Sequence, residues 1–367
     1  MKNTFGNNVS ITIFGESHGV AIGAVLDGIS PGIEINEEYI SKKLAERRPT
    51  GDYSTPRKER DAYEIVSGVF GGYTTGTPIC ILIRNENTNS GDYESIKETP
   101  RPSHADYAAT LKYHGFQDYR GGGHFSGRIT AGLVAAGAIL EYALMKKGVK
   151  ILTHIKELHG IADRDFEDYE KDASILSESV FPALSDASKE KMIKEILSAK
   201  KEGDSVGGIL ETAIIGMPGG VGEPYFDSVE SILSHALFSI PAVKGVEFGD
   251  GFKLATLYGS EANDPFAFEG DYNQVKTKTN RNGGINGGIT NSMPVTFRCV
   301  IKPTPSIAKE QESVNLKTGE GVRLNINGRH DPAIIHRAMP VVDATVAIAL
   351  ADLLVGRFGT DYLKNDN

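Results

Sequence analysis

The order of hydrophobic and polar positions near the start of the chain predicts two strands and a helix. Alternation in VSITIF predicts a strand that ends at Phe14, and AIGAVLDGI predicts its neighbour across the polar loop GESHG. The segment NEEYISKKLAERRP repeats apolar residues at helical spacing, begins with the capping residue Asn36 and stops before Pro49. Arg47 and Arg48 fall in the last turn of this predicted helix.

The rest of the chain mixes strand-like and helix-like patterns. A hairpin-like region, YEIVSGVFGGYTTGTPICILI, is followed by a polar loop over residues 84–106 that is long enough to indicate function. Residues 163–203 are charged and predict a helical surface insertion without a catalytic role. Next come a predicted strand, GGILETAIIG, a helix, SVESILSHALFSI, a second strand, VTFRCVIKP, and a last helix over residues 333–358. Since no repeat, long linker or break in composition divides residues 1–367, one domain is expected.

Composition restricts the class of protein. With 40% hydrophobic and 24% charged residues, the 367-residue chain has the composition of a soluble globular protein. The net charge of -9 argues against broad attachment to nucleic acid or an anionic membrane. Cys80 and Cys299 lie in apolar, strand-like runs and form no disulfide framework. The apolar run 131–145 contains Glu141 and is too short to span a bilayer, and no signal peptide precedes it, so a cytoplasmic protein is expected.

Four polar clusters stand in loops marked by glycine or proline. They are GESHG (15–19), RRPTGDYSTPRKERD (47–61), RPSHAD (101–106) with GGGHFSGR (121–128), and NGRHDP (327–332). Arginine grips phosphate or carboxylate, while histidine and aspartate exchange protons near neutral pH. The glycines ahead of a predicted helix start, with Arg128 one turn in, favour an anion site. Together the clusters predict a substrate with several negative charges and a reaction that transfers a proton.

Other chemistries find less support in the sequence. RGGGHFSG is not a GxxxxGK[ST] phosphate loop, which disfavours a kinase or ATPase. GGINGG falls one residue short of a GxGxxG fit and follows no clear strand, so a nicotinamide fingerprint is weak. Without an HExxH motif or a Cys/His quartet, no metal site is expected. Near the end of the second strand, Lys302, Thr304 and Ser306 offer an ammonium and two hydroxyls that suit a terminal phosphate.

The ordered set of motifs FGESHG, RRP, RPSHADY, YRGGGxxSxR, AVKGVEFGDGF, NGGINGGITN, KPTPSI and GRHDP resembles the chorismate synthase family over residues 5–359. This resemblance implies an α+β fold, a layered β-α-β sandwich with central helices between antiparallel sheets. It implies anti-1,4-elimination of phosphate from 5-enolpyruvylshikimate 3-phosphate to give chorismate, with reduced FMN (FMNH2) and no net redox change. It further implies a homotetramer with flavin near the subunit boundaries. Because no convincing nicotinamide motif is present, an external reductant for the flavin is expected.

The resemblance also implies roles for individual residues. His18 would donate a proton to the leaving phosphate, His104 would lie beside the flavin and tune its protonation, and Asp331 would help to relay the substrate proton. The implied substrate-binding residues are Ser17, Arg47, Arg48, Arg57, Arg101, Ser126, Arg128 and Arg329. The implied cofactor-binding residues are His104, His124, Phe125, Ser126, Pro241, Ala242, Gly287, Lys302, Pro303, Thr304, Pro305, Ser306, Arg329 and Asp331.

The chain departs from the common family pattern at two places. Many members have Arg-Ser-Ser-Ala-Arg where this chain has HFSGR, so an arginine is replaced by His124. A second arginine after the RRP motif has no counterpart, since Asp52 and Tyr53 stand there, which weakens the case for an NADPH contact. Two other classes of function remain open. One is a flavin or nicotinamide oxidoreductase with net electron transfer, and the other is an anion- or RNA-binding module.

Overall fold

A computed structural model describes residues 2–54, 61–86, 97–269, 274–326 and 331–364. The helices are α1 (Glu37–Glu46), α2 (Asp106–Tyr113), α3 (Thr130–Lys146), α4 (Tyr169–Glu178), α5 (Asp186–Lys201), α6 (Val229–Leu237), α7 (Gly259–Ala262) and α8 (Ile335–Phe358). The strands are β1 (Thr4–Phe5), β2 (Ser10–Gly15), β3 (Ala21–Asp27), β4 (Tyr63–Ser67), β5 (Val69–Phe70), β6 (Tyr73–Thr74), β7 (Ile79–Arg84), β8 (Lys150–Leu158), β9 (Ile161–Ala162), β10 (Gly208–Ile215), β11 (Val243–Phe248), β12 (Phe266–Glu269), β13 (Gln274–Thr277), β14 (Ile285–Asn286), β15 (Ile289–Thr290), β16 (Val295–Ile301), β17 (Gln311–Val314) and β18 (Gly321–Leu324).

Two five-stranded sheets form the outer layers. The first has the strand order β1-β2-β3-β7-β4 and the second has the order β11-β16-β10-β8-β9. Every neighbouring pair in both sheets is antiparallel, with Ile13 opposite Ala24 in the first sheet and Leu210 opposite Cys299 in the second. Antiparallel sheets with one apolar face need a second layer to bury that face.

Two long helices form the middle layer. Helix α3 packs on β3 and β7 of the first sheet, α8 packs on β8 and β10 of the second, and the two helices pack against each other. They approach closely at Gly137, where an added Cβ would lie 2.4 Å from the Cβ of Ala344. The α+β fold class and the layered order of sheet, helices and sheet are therefore confirmed.

Burial on all sides explains the composition of these two helices. A helix that is apolar around its whole circumference belongs in a core or a membrane. By length and composition alone, Gly127–Lys146 and Ile335–Phe358 could each cross a bilayer, but 83% and 89% of their most apolar windows are buried inside the fold. The expectation that apolar runs are too short to span does not hold for the 24 residues of α8. Burial between the sheets, rather than length, assigns both helices to the core.

A buried ionic cluster connects helices α1, α3 and α8. Nζ of Lys43 on α1 lies 3.1 Å from Oε1 of Glu141 on α3 and 2.8 Å from Oδ2 of Asp343 on α8. All three side chains are at most 6% exposed. Burial raises the pKa of Glu141, which the Lys43 ammonium opposes. Charges held this deeply depend on their partners, because little water reaches them.

The segment 163–203, predicted as a charged surface insertion, contains α4 and α5. Its first residue contacts the second sheet, where Nδ1 of buried His154 lies 3.3 Å from Asp163 and Nε2 lies 3.0 Å from Glu211. Burial alone would lower the pKa of His154, but the hydrogen bonds to these two carboxylates outweigh burial and raise it. Phe181, between the two helices, is 1% exposed. Part of this segment therefore packs into the core.

Most predicted elements lie where the hydrophobic pattern puts them. Helix α1 has Asn36 as its N-cap, with the side chain accepting a hydrogen bond from the backbone N–H of Tyr39. The glycine-rich stretch near residue 285 forms the β14–β15 turn. The pattern did not predict β8, β11, or the hairpins β12–β13 and β17–β18.

Candidate functional site

One large cavity of about 950 Å³ opens beside the central helices. Loops after β2 and α1, the loops before α2 and α3, the turn between α6 and β11, the segment after β16 and the start of α8 all contribute to its wall. The lining cations are Lys2, Arg47, Arg48, Arg128, Lys244, Lys302 and Arg337. Among the described lining residues, only Asp61 and Asp331 are carboxylates. The cavity is therefore cationic although the whole chain is acidic, a combination that concentrates anions at one place.

The glycine triplet lets two predicted catalytic histidines approach one loop. Gly121, Gly122 and Gly123 all have positive φ, at 59°, 89° and 53°, which favours glycine. A Cβ on Gly121 would lie 2.1 Å from Cε1 of His18, and a Cβ on Gly122 would lie 3.3 Å from Cε1 of His104. The backbone of the triplet thus packs directly against both imidazoles.

His18 is buried and its ring is held by its neighbour. The Ser17 hydroxyl donates to the carbonyl of Arg120 at 3.2 Å, so its oxygen accepts from Nδ1 of His18, also at 3.2 Å. The backbone N–H of Ser17 donates to the carbonyl of Gly123 at 3.1 Å. These bonds fix the GESHG loop to the glycine triplet and assign a proton to Nδ1 of His18.

Two predicted arginines share one buried carboxylate. Asp61, 6% exposed, pairs with Nη1 of Arg47 at 2.9 Å and with Nη1 of Arg128. Arg47 also donates to Oγ1 of Thr130 at 3.1 Å, and Nε of Arg128 donates to Asn85 at 3.1 Å. Both guanidinium groups are therefore oriented before any ligand binds.

Asp331 and Arg48 reach the same cavity from other elements. The Asp331 carboxylate pairs with Nη1 of Arg337 on α8, and Nε of Arg337 donates to the carbonyl of Arg47 at 2.8 Å. Arg337 therefore connects the end of α1 with Asp331. Arg48 lines the cavity next to Arg47.

A second group of cations lies around the segment after β16. The ammonium of Lys302 donates to the carbonyl of Ser103, and the backbone N–H of Lys302 donates to the carbonyl of Ala242 at 3.0 Å. Burial, and then repulsion from Lys244, lowers the pKa of Lys302 below its usual value. Oγ1 of Thr304 is buried and has no hydrogen-bond partner among the described residues. Two ammonium groups and an unpaired hydroxyl are suited to binding an anion.

His124 and Phe125 also lie on the cavity wall. Nδ1 of His124 donates to the carbonyl of Gly15 at 2.8 Å, which joins the segment before α3 to the end of β2. Phe125 packs edge-on against Tyr113 of α2, with ring centroids 6.1 Å apart. Nearby apolar side chains that line the cavity are Phe5, Ile11, Ile13, Leu133, Ile240, Val243 and Val341.

The structure brings most of the predicted site residues into this one cavity. Those that line it are Ser17, His18, Arg47, Arg48, His104, His124, Phe125, Ser126, Arg128, Pro241, Ala242, Lys302, Thr304, Pro305, Ser306 and Asp331. Arg101 lies behind His104 and not on the wall, with its guanidinium bound to Asp106. Gly287, in the exposed β14–β15 turn, and Pro303 also lie off the wall. Arg57 and Arg329 lie outside the described residues.

Sequence reasoning missed four charged residues of the site region. Asp61, Asp106 and Lys244 each belong to a motif that the sequence marks, namely RKERD, RPSHAD and AVKGVEFGDGF. Their signal was therefore present, but pairing with a particular arginine, histidine or lysine requires coordinates. Arg337 lies in an apolar helix pattern that gives no signal for function.

Comparisons with known proteins agree with these motifs. A family described as "Chorismate synthase" matches residues 9–355. Among curated proteins, the chorismate synthase of Pyrococcus abyssi is 47% identical over 352 residues, covering 96% of this chain and 97% of that protein. That of Lachnoclostridium phytofermentans is 47% identical over 366 residues, covering 99% and 98%. A solved structure titled "Crystal Structure of Chorismate Synthase" superposes with a TM-score of 0.76 at 27% identity, covering 98% of this chain and 95% of that one.

Proposed function

Since the chain belongs to the chorismate synthase family of carbon–oxygen lyases, we propose that it converts 5-enolpyruvylshikimate 3-phosphate to chorismate. In this reaction a ring C–H bond and the C–O bond to phosphate both break, and a new C=C bond forms. The observation that carries the proposal is the convergence of His18, His104, Arg128 and Asp331 on one cationic cavity. These residues come from four separate loops and meet in one cavity, which is the arrangement expected of a binding site for a small molecule.

The charges of the cavity fit the charges of this substrate. One phosphate and two carboxylates need several cations, and arginine binds such groups with parallel hydrogen bonds. Arg47 and Arg128 are already oriented through Asp61, and Arg48 lies beside them. We propose that these three guanidinium groups bind the anionic groups of the substrate, with Ser126 as a neutral donor.

The cavity residues of the segment after β16 and their neighbours fit FMN. A volume of about 950 Å³ is large enough for a flavin beside a small substrate. We propose that Lys302, Thr304 and Ser306 hold the FMN phosphate, since the Thr304 hydroxyl is buried without a partner among the described residues. His104, His124, Phe125, Ser126, Pro241, Ala242 and Pro305 would border the ring system. When bound, reduced FMN supplies electron density that is returned by the end of the reaction, so no net redox change occurs.

We assign the proton transfers of the reaction to two side chains, His18 and Asp331. As an imidazolium, His18 has a second proton on Nε2 to give to the departing phosphate oxygen, while Ser17 holds Nδ1. Asp331 holds the proton that leaves the ring, and Arg337 orients its carboxylate. Burial of His18 at 7% exposure keeps bulk water from competing for this proton.

The test is an anaerobic incubation of the protein with 5-enolpyruvylshikimate 3-phosphate and prereduced FMN. Phosphate release and chorismate formation should continue for many turnovers while the flavin stays reduced. His18→Ala and Asp331→Ala should each keep the fold and FMN binding, with turnover lowered by about 10²- to 10⁴-fold. His159→Ala is the matched control, because this histidine is 62% exposed and pairs with Glu195 on the surface.

Two results would contradict the proposal. Oxidation of one flavin per product would indicate an oxidoreductase with net electron transfer. Turnover of His18→Ala and Asp331→Ala equal to that of His159→Ala would remove both residues from the mechanism.

Four other features stay predictions; the homotetramer rests on the family resemblance, and the other three rest on sequence patterns. They are a single domain, a homotetramer, a cytoplasmic location and an external reductant for the flavin.

A further inference from the structure

Asp106 does not line the cavity, yet it holds a residue that does. Its Oδ1 lies 2.6 Å from Nδ1 of His104 and accepts from Nη2 of Arg101 at 2.8 Å. Its Oδ2 accepts from Nε of Arg101 at 2.8 Å and from the backbone N–H of Arg101 at 3.0 Å. The three side chains are between 7% and 17% exposed. One carboxylate therefore fixes both an imidazole and a guanidinium.

The charge of Asp106 decides where the proton of His104 lies. Burial alone would raise the pKa of Asp106, but hydrogen bonds from Arg101 and His104 outweigh burial and hold it well below its usual range. An ionised carboxylate only accepts hydrogen bonds, so the 2.6 Å contact calls for a proton on Nδ1 of His104. Nη2 of Arg101 also lies 3.0 Å from this Nδ1, but it donates to Oδ1 of Asp106 at the shorter distance of 2.8 Å. In the neutral imidazole, the lone pair is then on Nε2.

The same network decides which edge of His104 faces the cavity. The Nδ1 edge meets Asp106 and Arg101, and neither of these lines the cavity. His104 does line it, so the opposite edge, with Nε2, is the one presented there. Gly122, which does not line the cavity, packs beside Cε1 of the ring, where an added Cβ would lie 3.3 Å from Cε1 and 3.4 Å from Nε2. His104 is thus held both at Nδ1 and beside Cε1.

We propose that Asp106 is a positioning residue that fixes His104 as the Nδ1–H tautomer with Nε2 turned into the cavity. The functional part of this inference rests on the proposed lyase activity, in which His104 borders the flavin. Arg101, implied by resemblance to bind substrate, instead completes the network. Its Nη1 lies 3.5 Å from Oγ of Ser306, which links the network to the proposed phosphate-binding segment.

Asp106→Asn tests the proposal because it keeps the shape and changes the donor pattern. Two donors from Arg101 meet Oδ2, so the asparagine oxygen takes that position and its NH2 group faces Nδ1 of His104. An NH2 donor there favours the Nε2–H tautomer, and a carboxylate-to-amide change of this kind lowers turnover in the serine protease triad. We expect turnover to fall by about 10²- to 10⁴-fold, with flavin binding retained.

The tautomer itself is read by long-range ¹H–¹⁵N NMR on protein labelled at histidine, at a pH where His104 is neutral. Comparison with His104→Gln assigns the signals. The wild type should show Nδ1–H and Asp106→Asn should show Nε2–H. Asp118→Asn, which breaks a comparable pair with Arg120 at 2.8 Å, should leave the His104 tautomer unchanged.

Either of two results would overturn the proposal. One is an Nε2–H signal for neutral His104 in the wild type, which needs no variant to fold. The other is an Asp106→Asn protein with turnover within about threefold of the wild type. Because the tautomer is measured without substrate, absence of chorismate formation would refute the proposed activity and leave the tautomer result standing.

Discussion

A methyl group at Gly121 tests whether the glycine triplet sets the position of His18. In Gly121→Ala, the added Cβ would lie 2.1 Å from Cε1 and 2.3 Å from Nδ1 of the imidazole. The ring would have to retreat by about 1.3 Å to restore an ordinary contact of 3.4 Å. A misplacement of about 1 Å near the reacting atoms lowers rate by roughly 10²-fold, or about 2.7 kcal/mol of transition-state stabilisation.

The backbone contributes a second, separate effect. Gly121 has φ of 59°, in the left-handed region, where an alanine is disfavoured by about 1–2 kcal/mol. Alanine also lowers the conformational entropy of the unfolded chain. This effect stabilises the folded protein by roughly 0.4–1 kcal/mol and offsets part of the loss. Gly71→Ala is the matched control, because Gly71 also has φ of 59° and an added Cβ would meet nothing within 4 Å.

The assay compares kcat/KM and the thermal unfolding midpoint of the two variants under anaerobic conditions with prereduced FMN. Both should lose stability from the backbone, and Gly121→Ala should lose more because its Cβ also displaces the buried His18 ring. Only Gly121→Ala should lose about 10²-fold in kcat/KM. If Gly121→Ala and Gly71→Ala agree within about threefold in kcat/KM, the triplet does not position His18 and the reasoning fails.

Two further predictions concern stability. Lys43→Met leaves Glu141 and Asp343 buried without their cation, and chemical denaturation should show a loss of about 3–5 kcal/mol in unfolding free energy. Lys150→Met, which breaks an exposed pair, should change it by less than about 1 kcal/mol, and equal effects would contradict the assigned role of the cluster. For His154, the folded-state pKa is raised, so its ion pairs stabilise the protein fully below about pH 6.5 and less as pH rises through the folded pKa. The difference in thermal midpoint between wild type and His154→Gln should therefore shrink with rising pH, and a difference that grows would reverse the assigned sign.

Local sequence patterns predicted the helices and strands whose signals lie within a few neighbouring residues. Helix α1 has a capping residue, Asn36, and a proline stop, both of which act within one turn. The apolar patterns of α3 and α8 indicated helices, the alternation in β2 indicated a strand, and AIGAVLDGI indicated β3 as its neighbour. Short strands such as β12 and β17 were not predicted, because four residues give too little periodicity.

The candidate site was predicted as a set of residue types and only partly as a set of contacts. The motifs indicated that His18, His104, Arg128 and Asp331 act together, and the cavity contains all four. The motifs did not indicate that Arg101 turns away from the cavity toward Asp106. Residue type limits what a side chain is able to bind, but several partners within reach compete for the same guanidinium.

The residue pattern by itself determined helix α1, strands β2 and β3, the acidic net charge and the loops that carry arginine, histidine and glycine. The layered fold class followed from the resemblance of the ordered motifs to a known family. Tertiary structure alone decided that Asp61 joins two arginines, that Asp106 orients His104, and that Gly121 packs on His18. Periodicity and capping depend on a few neighbouring residues, so the order of residues in the sequence is enough to predict them. Ion pairs and tautomers depend on distances of about 3 Å between groups far apart in the chain, and folding sets those distances.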